Sequence, residues 1–581
     1  MRNYDRVHPR KPEGIENCKA YIVGGGIAGL SAVAFLVRDA QMPGENITVY
    51  DQLPVFGGSM DAAGSAAGGY VSRSERDLEP YMECLWDLFG SIPSIYEEGR
   101  TVLDETRECN KNWEIDSQHR LWEQGFKTHD ETTMGMTPTL QEQMIKMMLT
   151  PEEQPEDVTI EQWFDKELFH SQLWYYWSAM LAFQPYHSLI EMRRYAVCFM
   201  HQLHLIKSLR GILRTKYDQY NSLIRPLEKY LADRGVKFVP GAAVTDMDIR
   251  FDGSDKTVTA LHIGNEVVPV ADEDLVFFTN GSMTPNSTQG SMTEAPVMNR
   301  DTAHKGCFTL WENLARKCPK YSHPEKFAFD PDQSNFVSCS VTVRDYPAFF
   351  DYLAEKTGNP TGKGGCSTFV DAPWFINYNV PLQPVAPDQP ENVQFMWFYG
   401  LHANNCGTYT KKPMTQCSGE EIMREFLYYC GLEDKIDEIM PHITAIPVVM
   451  PYITSQFMPR KLKDRPEVIP AGNRNLAFIG QVVELEGDVV STVETSVRTA
   501  MIAVYRLLHL DRPITPLFQG QYDIRMVNAG MKMMLGKNKI EVSDLPKINP
   551  LKITQTVHQT VDAINSIPSV PEYYAERKEN Q

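Results

Sequence analysis

The chain has 581 residues, more than one hydrophobic core ordinarily supports, so several structural units and a sizeable buried interior are expected. A formal charge of −19 excludes a general nucleic-acid binder, while a local basic patch for an anionic ligand or a lipid surface stays compatible with it. The 11 cysteines are odd in number and scattered with no CxxC pair, which argues against a disulfide framework and a structural zinc site, names no metal ligands, and fits a reducing, cytoplasmic compartment.

The opening MRNYDRVHPRKPEG carries no apolar stretch of a secretory signal, and no run of about 18 apolar residues follows, so neither secretion nor membrane spanning is expected. From Lys19 to Leu30 the sequence KAYIVGGGIAGL turns an apolar strand directly into a helix, with three glycines in the pattern of a dinucleotide fingerprint. Gly24 suits the tight turn, Gly26 lets backbone approach a pyrophosphate, and Gly29 lets the helix, opening with Ile27 and Ala28, pack close to its strand. The unpaired N–H groups of that helix start favour phosphate. The strand NITVYD then ends at Asp51, followed by Gln52, where a carboxylate can accept hydrogen bonds from a ribose diol. Gly57, Gly58 and Ser59 follow, a glycine pair common in flavin enzymes.

Further on, SLIRPLEKYLADRG reads as a helix leading into the strand VKFVPGAAVTDMDI, which contains Val244. EDLVFFTNGS is a buried strand ending at Asn280, Gly281 and Ser282, and NLAFIGQ another with Gly480 and Gln481 at its tip, before the helical STVETSVRTAMIAVYRLL. The expected fold is α/β: a Rossmann-like FAD-binding domain built from discontinuous segments, with an inserted α+β substrate domain and a helical C-terminal region. Its expected parts are residues 14–137, 210–304 and 452–512 for the FAD domain, 138–209 for a helical lid, 305–451 for the substrate domain and 513–581 for the C-terminal region.

Six stretches in order carry a family resemblance: RKPEGIENCKAYIVGGGIAGLSA, YMECLWDLFGSIPS, AMLAFQPYHSLIEMRRY, TKYDQYNSL, MPYITSQFMPR and NLAFIGQ. Together they make the chain resemble the oleate hydratases, once called the myosin-cross-reactive antigen family, from about residue 10 to about residue 545. The resemblance implies a FAD-containing lyase, often a homodimer, that adds water across an isolated cis double bond of an unsaturated free fatty acid without net redox change. A peripheral membrane contact would suit such a substrate. An unconjugated alkene is a poor base, so the site needs an acid, a water activator and negative electrostatics near the developing positive charge.

Residue by residue, the tyrosine closing EMRRY, Tyr195, matches the residue that delivers the proton. A phenol near pKa ~10 is a weak acid, so Arg193, Arg194 or the flavin is expected to tune it. The family loop RGGREM corresponds to RSERDL, beginning at Arg73, a further expected flavin contact. Asp77 then stands where the water-activating glutamate normally sits, one methylene shorter, with Glu75 and Glu79 ranked below it. For the substrate carboxylate, the family's Thr, Asn and His positions hold Asn379, Pro381 and Val385, so only Asn379 keeps a hydrogen-bonding side chain; Gln219 in YDQY matches another head-group contact. Either a different fatty acid or another cation, such as Lys411 or Lys412, is implied.

The cluster Trp174, Tyr175, Trp177, Phe183 and Tyr186 suits either an acyl tunnel or plain core, and His187 beside it reads as a core histidine. Glu494 and Arg498 match family positions and also read as an i,i+4 surface pair. The same cofactor domain is compatible with a flavin isomerase or oxidoreductase acting on fatty acids. The altered loop is compatible with a lipid-binding homologue that has lost hydration.

Overall fold

Five strands drawn from well-separated parts of the chain meet in one parallel sheet in the computed structural model, which describes residues 10–73, 76–130, 133–490 and 492–536. Across it the order is Leu476–Gly480, Leu275–Asn280, Ala20–Val23, Ile47–Asp51 and Lys237–Pro240. The three strands AYIV, LVFFTN and LAFIG are almost wholly buried, and their unbroken apolar runs are what a sheet covered on both faces requires. Helix Ile27–Arg38, apolar nearly all round, packs between this sheet and helix Val493–Leu507. Gly29 permits that approach, since a Cβ there would lie 2.0 Å from the Gly24 carbonyl oxygen.

A second sheet has eight strands, mostly antiparallel, centred on Ile443–Met450, Phe336–Arg344 and Val393–Gly400. Alternation sets its two faces. In Phe336–Arg344, the residues Val337, Cys339, Val341 and Val343 enter one core, while Ser338, Ser340 and Thr342 point to the other side. There the Ser340 and Thr342 hydroxyls accept hydrogen bonds from the backbone N–H groups of Ser72 and Tyr70, each at 2.9 Å. The hairpin Ala62–Ser65/Gly69–Ser72 is thereby fastened to the large sheet shortly before Asp77 in the chain.

Three short strands from the ranges expected for the nucleotide-binding unit pair with the large sheet. Leu121–Glu123 and Lys127–Thr128 extend one edge of the large sheet, and Thr288–Gln289 extends the other. Their cause is packing: Leu121 and Trp122 pair with Thr368 and Phe369, and Trp122 and Phe126 join that sheet's core. Helices Pro138–Leu149, Gln172–Leu181 and Leu189–Cys198 build a third, aromatic- and methionine-rich core beside both sheets. Helix Ile524–Leu535 represents the C-terminal region; residues 537–581 of that expected region lie outside the described residues. Among the described residues, no helix is long and apolar enough to cross a membrane.

Candidate functional site

The strand-to-helix turn after Val23 opens an elongated cradle along the C-terminal edge of the parallel sheet. Gly24 adopts φ +104°, and a side chain there would also strike Thr279, 2.8 Å from an added Cβ. At Gly26 an added Cβ would meet only the Gly58 Cα at 3.7 Å, so that position faces open cradle and leaves backbone accessible to a ligand. The start of helix Ile27–Arg38 faces the same space, as does the start of helix Val493–Leu507, capped by Thr492. The Asn280 side-chain oxygen, fully buried on the cradle wall, has no hydrogen-bond partner among the described residues. These features fit a dinucleotide: two helix starts for anionic groups, a glycine without steric cover, and a buried acceptor awaiting a donor.

Every residue expected to contact the cofactor lines this cradle except Gly29, Arg73 and Ser282. Gly29 acts through packing alone. Arg73 pairs with Asp61 at 3.1 Å and reaches the Gly58 carbonyl, so it buttresses the glycine turn from outside; burial lifts the Asp61 carboxyl to about 6. The Ser282 hydroxyl donates to Gln456. Asp51 lines the cradle with its carboxylate already accepting the N–H groups of Gly25 at 2.7 Å and Leu53 at 2.8 Å, which orients it while leaving further lone pairs for a diol.

A second cavity, of about 210 Å³, meets the cradle at Arg76, Met283, Thr492 and Val493. Asp77, Tyr195 and Asn379, far apart in sequence, share its wall. Asp77 is exposed to the cavity, and desolvation by the surrounding protein raises its carboxyl above the ordinary range against the opposing fields of Arg214, Arg120 and Arg76. Desolvation in turn lowers the Arg76 guanidinium to about 10, and Arg76 reaches the Met283 sulfur at 2.7 Å. Glu79 also borders the cavity, but its carboxylate is held by His201 at 2.6 Å and Gln202 at 3.2 Å. Glu75 lies outside the described residues.

Tyr195 projects from helix Leu189–Cys198 and donates its hydroxyl to the Val490 carbonyl. Burial, with Glu191 and Asp488 nearby, pushes this phenol well above its ordinary value against the opposing field of Arg465. The expectation that Arg193 and Arg194 tune it is corrected by their partners. Arg193 pairs with Glu152 at 2.9 Å, and Arg194 with Glu152 at 2.7 Å and Glu484 at 2.6 Å. Their charge is spent on fixing the helix. On the same helix, fully buried Glu191 binds Arg460 at 2.8 Å and Arg465 at 3.0 Å.

The head-group expectations fare unevenly. The Asn379 side-chain oxygen accepts from Arg214 at 3.0 Å on the cavity wall, making Arg214 a cation that sequence reasoning missed. Gln219 does not line the cavity; its amide is engaged with the backbone of Arg76. Lys411 and Lys412 are exposed, with Lys412 paired to Glu421 at 2.5 Å, and neither lines the cavity. Pro381 and Val385 are buried and likewise off its wall.

Of the aromatic cluster only Trp177 borders this cavity. Phe183 stacks on Phe457 at 4.4 Å and serves the core, while Tyr186 is half-buried and its hydroxyl donates to the Gln333 carbonyl. His187 is fully buried, accepts from the Gln184 N–H at 3.0 Å, and is held by burial at about 3, hence neutral. Glu494 and Arg498 pair at 2.6 Å in the interior rather than on the surface, and Glu494 accepts the Cys84 and Leu85 N–H groups at the start of helix Glu83–Phe89.

Comparison with known proteins covers nearly the whole chain. The sequence pattern of the MCRA family matches residues 17–505. An oleate hydratase of Streptococcus pyogenes serotype M49 (strain NZ131) is 38% identical, the alignment covering 95% of this chain and 97% of that protein. A linoleate hydratase of Lactiplantibacillus plantarum is 28% identical over 84% of this chain and 93% of its own length. In fold, a redesigned variant of putrescine oxidase superposes with a TM-score of 0.50 at 13% identity, over 84% of this chain and 98% of that one.

Proposed function

Because the chain belongs to the MCRA family, we propose that it is a FAD-dependent hydratase that adds water to a cis double bond of an unsaturated free fatty acid of the oleate or linoleate class. The observation that carries the reading is one cavity with a carboxylate and a phenol on its wall, opening onto a dinucleotide cradle at Arg76, Met283, Thr492 and Val493.

In this reading the Asp77 carboxylate takes a proton from water as the water oxygen bonds to one alkene carbon. Tyr195 delivers a proton to the other. The product gains one water, and no electrons leave or enter. Burial suits Asp77 to its part, since a raised carboxyl pKa makes a stronger base. It makes Tyr195 a poorer acid, so the alkene has to be held against the hydroxyl, where proximity rather than acidity supplies the rate. The Arg76 cation feels the fields of both Asp77 and Tyr195 and favours the ionised form of either. Flavin in the cradle would supply polarisation at the cavity mouth rather than electron exchange. Arg214, braced by Asn379, gives the cavity a cation toward the substrate carboxylate.

Mass spectrometry of the products from oleate or linoleate tests this directly. Hydration adds the mass of one water; an isomerase leaves the mass unchanged, and an oxidase lowers it by hydrogen. A lipid-binding homologue returns the acid unchanged.

A further inference from the structure

Behind the reaction cavity lies a smaller void of about 20 Å³ with entirely apolar walls, and Trp177 and Leu203 form the partition between the two. Met144 and Met148 of helix Pro138–Leu149, Met192 and Met534 supply much of its remaining wall. Such a space loses dispersion contacts for every atom that lines it, and without polar partners it does not hold water. Methionine is the side chain best suited to yield around an entering apolar group.

Two details set this void apart from a packing fault. Met192 precedes Tyr195 by three residues on one helix, about one helical turn, so the same helix contributes to the walls of both spaces. Trp177 is buried, yet its indole N–H has no hydrogen-bond partner among the described residues, whereas a buried tryptophan normally finds one. Trp177 is thus held at the partition for its bulk. Asp77, Arg76, Arg214 and Asn379 give the reaction cavity its polar groups, and the void has none. That polarity gradient matches a ligand with one charged end and one hydrocarbon end.

Building on the fatty-acid reading above, we infer that this void receives the methyl end of the acyl chain, with Trp177 and Leu203 setting the length accepted beyond the double bond. A tail that reaches the partition turns the two side chains aside and its methyl end enters the methionine-lined space; a shorter one leaves it closed.

The test is the affinity of purified, flavin-loaded protein for a series of free cis-9 monoenoic acids, which share the distance from carboxylate to double bond and differ only in tail length. Dissociation constants from titration calorimetry give the ratio of long to short acids without reliance on turnover. Trp177→Leu loses no hydrogen bond, opens the partition, and should shift that ratio toward longer acids by about 10-fold, the low end of what one methylene is worth in an apolar site. Met144→Trp fills the void and should shift it toward shorter acids by a similar factor. If Met144→Trp does not fold, Trp177→Leu decides alone. An unchanged ratio in the variants that fold overturns the assignment. Wild-type binding without hydration would defeat the proposed reaction while the ratio still judges the void; absence of binding to any of these acids would defeat both.

Discussion

Gln219 holds the backbone of Arg76 at both of its polar groups: the Arg76 N–H donates to the amide oxygen at 3.1 Å, and the amide nitrogen donates to the Arg76 carbonyl at 2.5 Å. One side chain thus does for this residue what a paired strand would do, next to Asp77. Gln219→Ala should lower kcat by about 10²-fold with KM little changed, the cost of a misplacement near 1 Å. A raised KM with unchanged kcat would instead return Gln219 to the substrate carboxylate.

Asp77 gives a pH prediction with a definite sign. A base must be ionised, and burial raises this carboxyl, so kcat/KM should rise with pH along a limb centred above the ordinary aspartate value of about 3.9. Asp77→Asn should lose activity by about 10²-fold or more and lose the limb. Stability should run the other way. A carboxyl whose folded pKa is raised contributes stability that is present below its unfolded pKa and lost as pH rises through the folded one, so Asp77→Asn should melt no lower than wild type at neutral pH. A variant both inactive and strongly destabilised would show that Asp77 is structural.

Gly26→Val places a branched side chain in open cradle, with no protein atom nearer to its Cβ than the Gly58 Cα at 3.7 Å. The fold should survive and flavin should not bind. Visible absorbance after gel filtration with excess FAD reads the outcome: wild type yellow, variant colourless with an unchanged far-UV dichroism spectrum.

His187 sets an acid limit on stability. Its folded pKa is depressed to about 3 by burial, so its contribution is present above the unfolded value near 6.5 and is lost as pH falls toward 3. At pH ~5 the loss is about 2 kcal/mol, from 1.36 kcal/mol per pKa unit. His187→Phe should flatten the decline of melting temperature between pH ~6.5 and ~5. An equal slope in both proteins would show that other groups govern acid unfolding.

Local patterns made the parallel sheet and its glycine turn readable in the sequence, because an unbroken apolar run ending in Gly24 or Gly480 specifies its own geometry. Side-chain partners across the chain were not readable that way. Arg193 and Arg194 sit one turn or less from Tyr195 in sequence, but whether they face it depends on Glu152 and Glu484, which approach from other segments. Gln219 matched a substrate contact by motif, and only the tertiary placement of Arg76 beside it turns its amide to that backbone. Arg214 carried no local signal beyond its charge; its place on the wall comes from Asn379, 165 residues away. The edge of the large sheet is likewise set by distant partners: Leu121–Glu123 joins it by pairing with Ser367–Phe369.

Activation by Asp77 of the water that adds to the alkene is tested most directly by incubating oleate with the protein in heavy-oxygen water and weighing the product by mass spectrometry. Wild type should give a hydroxy acid carrying one heavy oxygen, and Asp77→Asn the same product at a rate lower by about 10²-fold or more. A product without the label, a product lacking hydrogen, or equal rates from the two proteins would contradict that role.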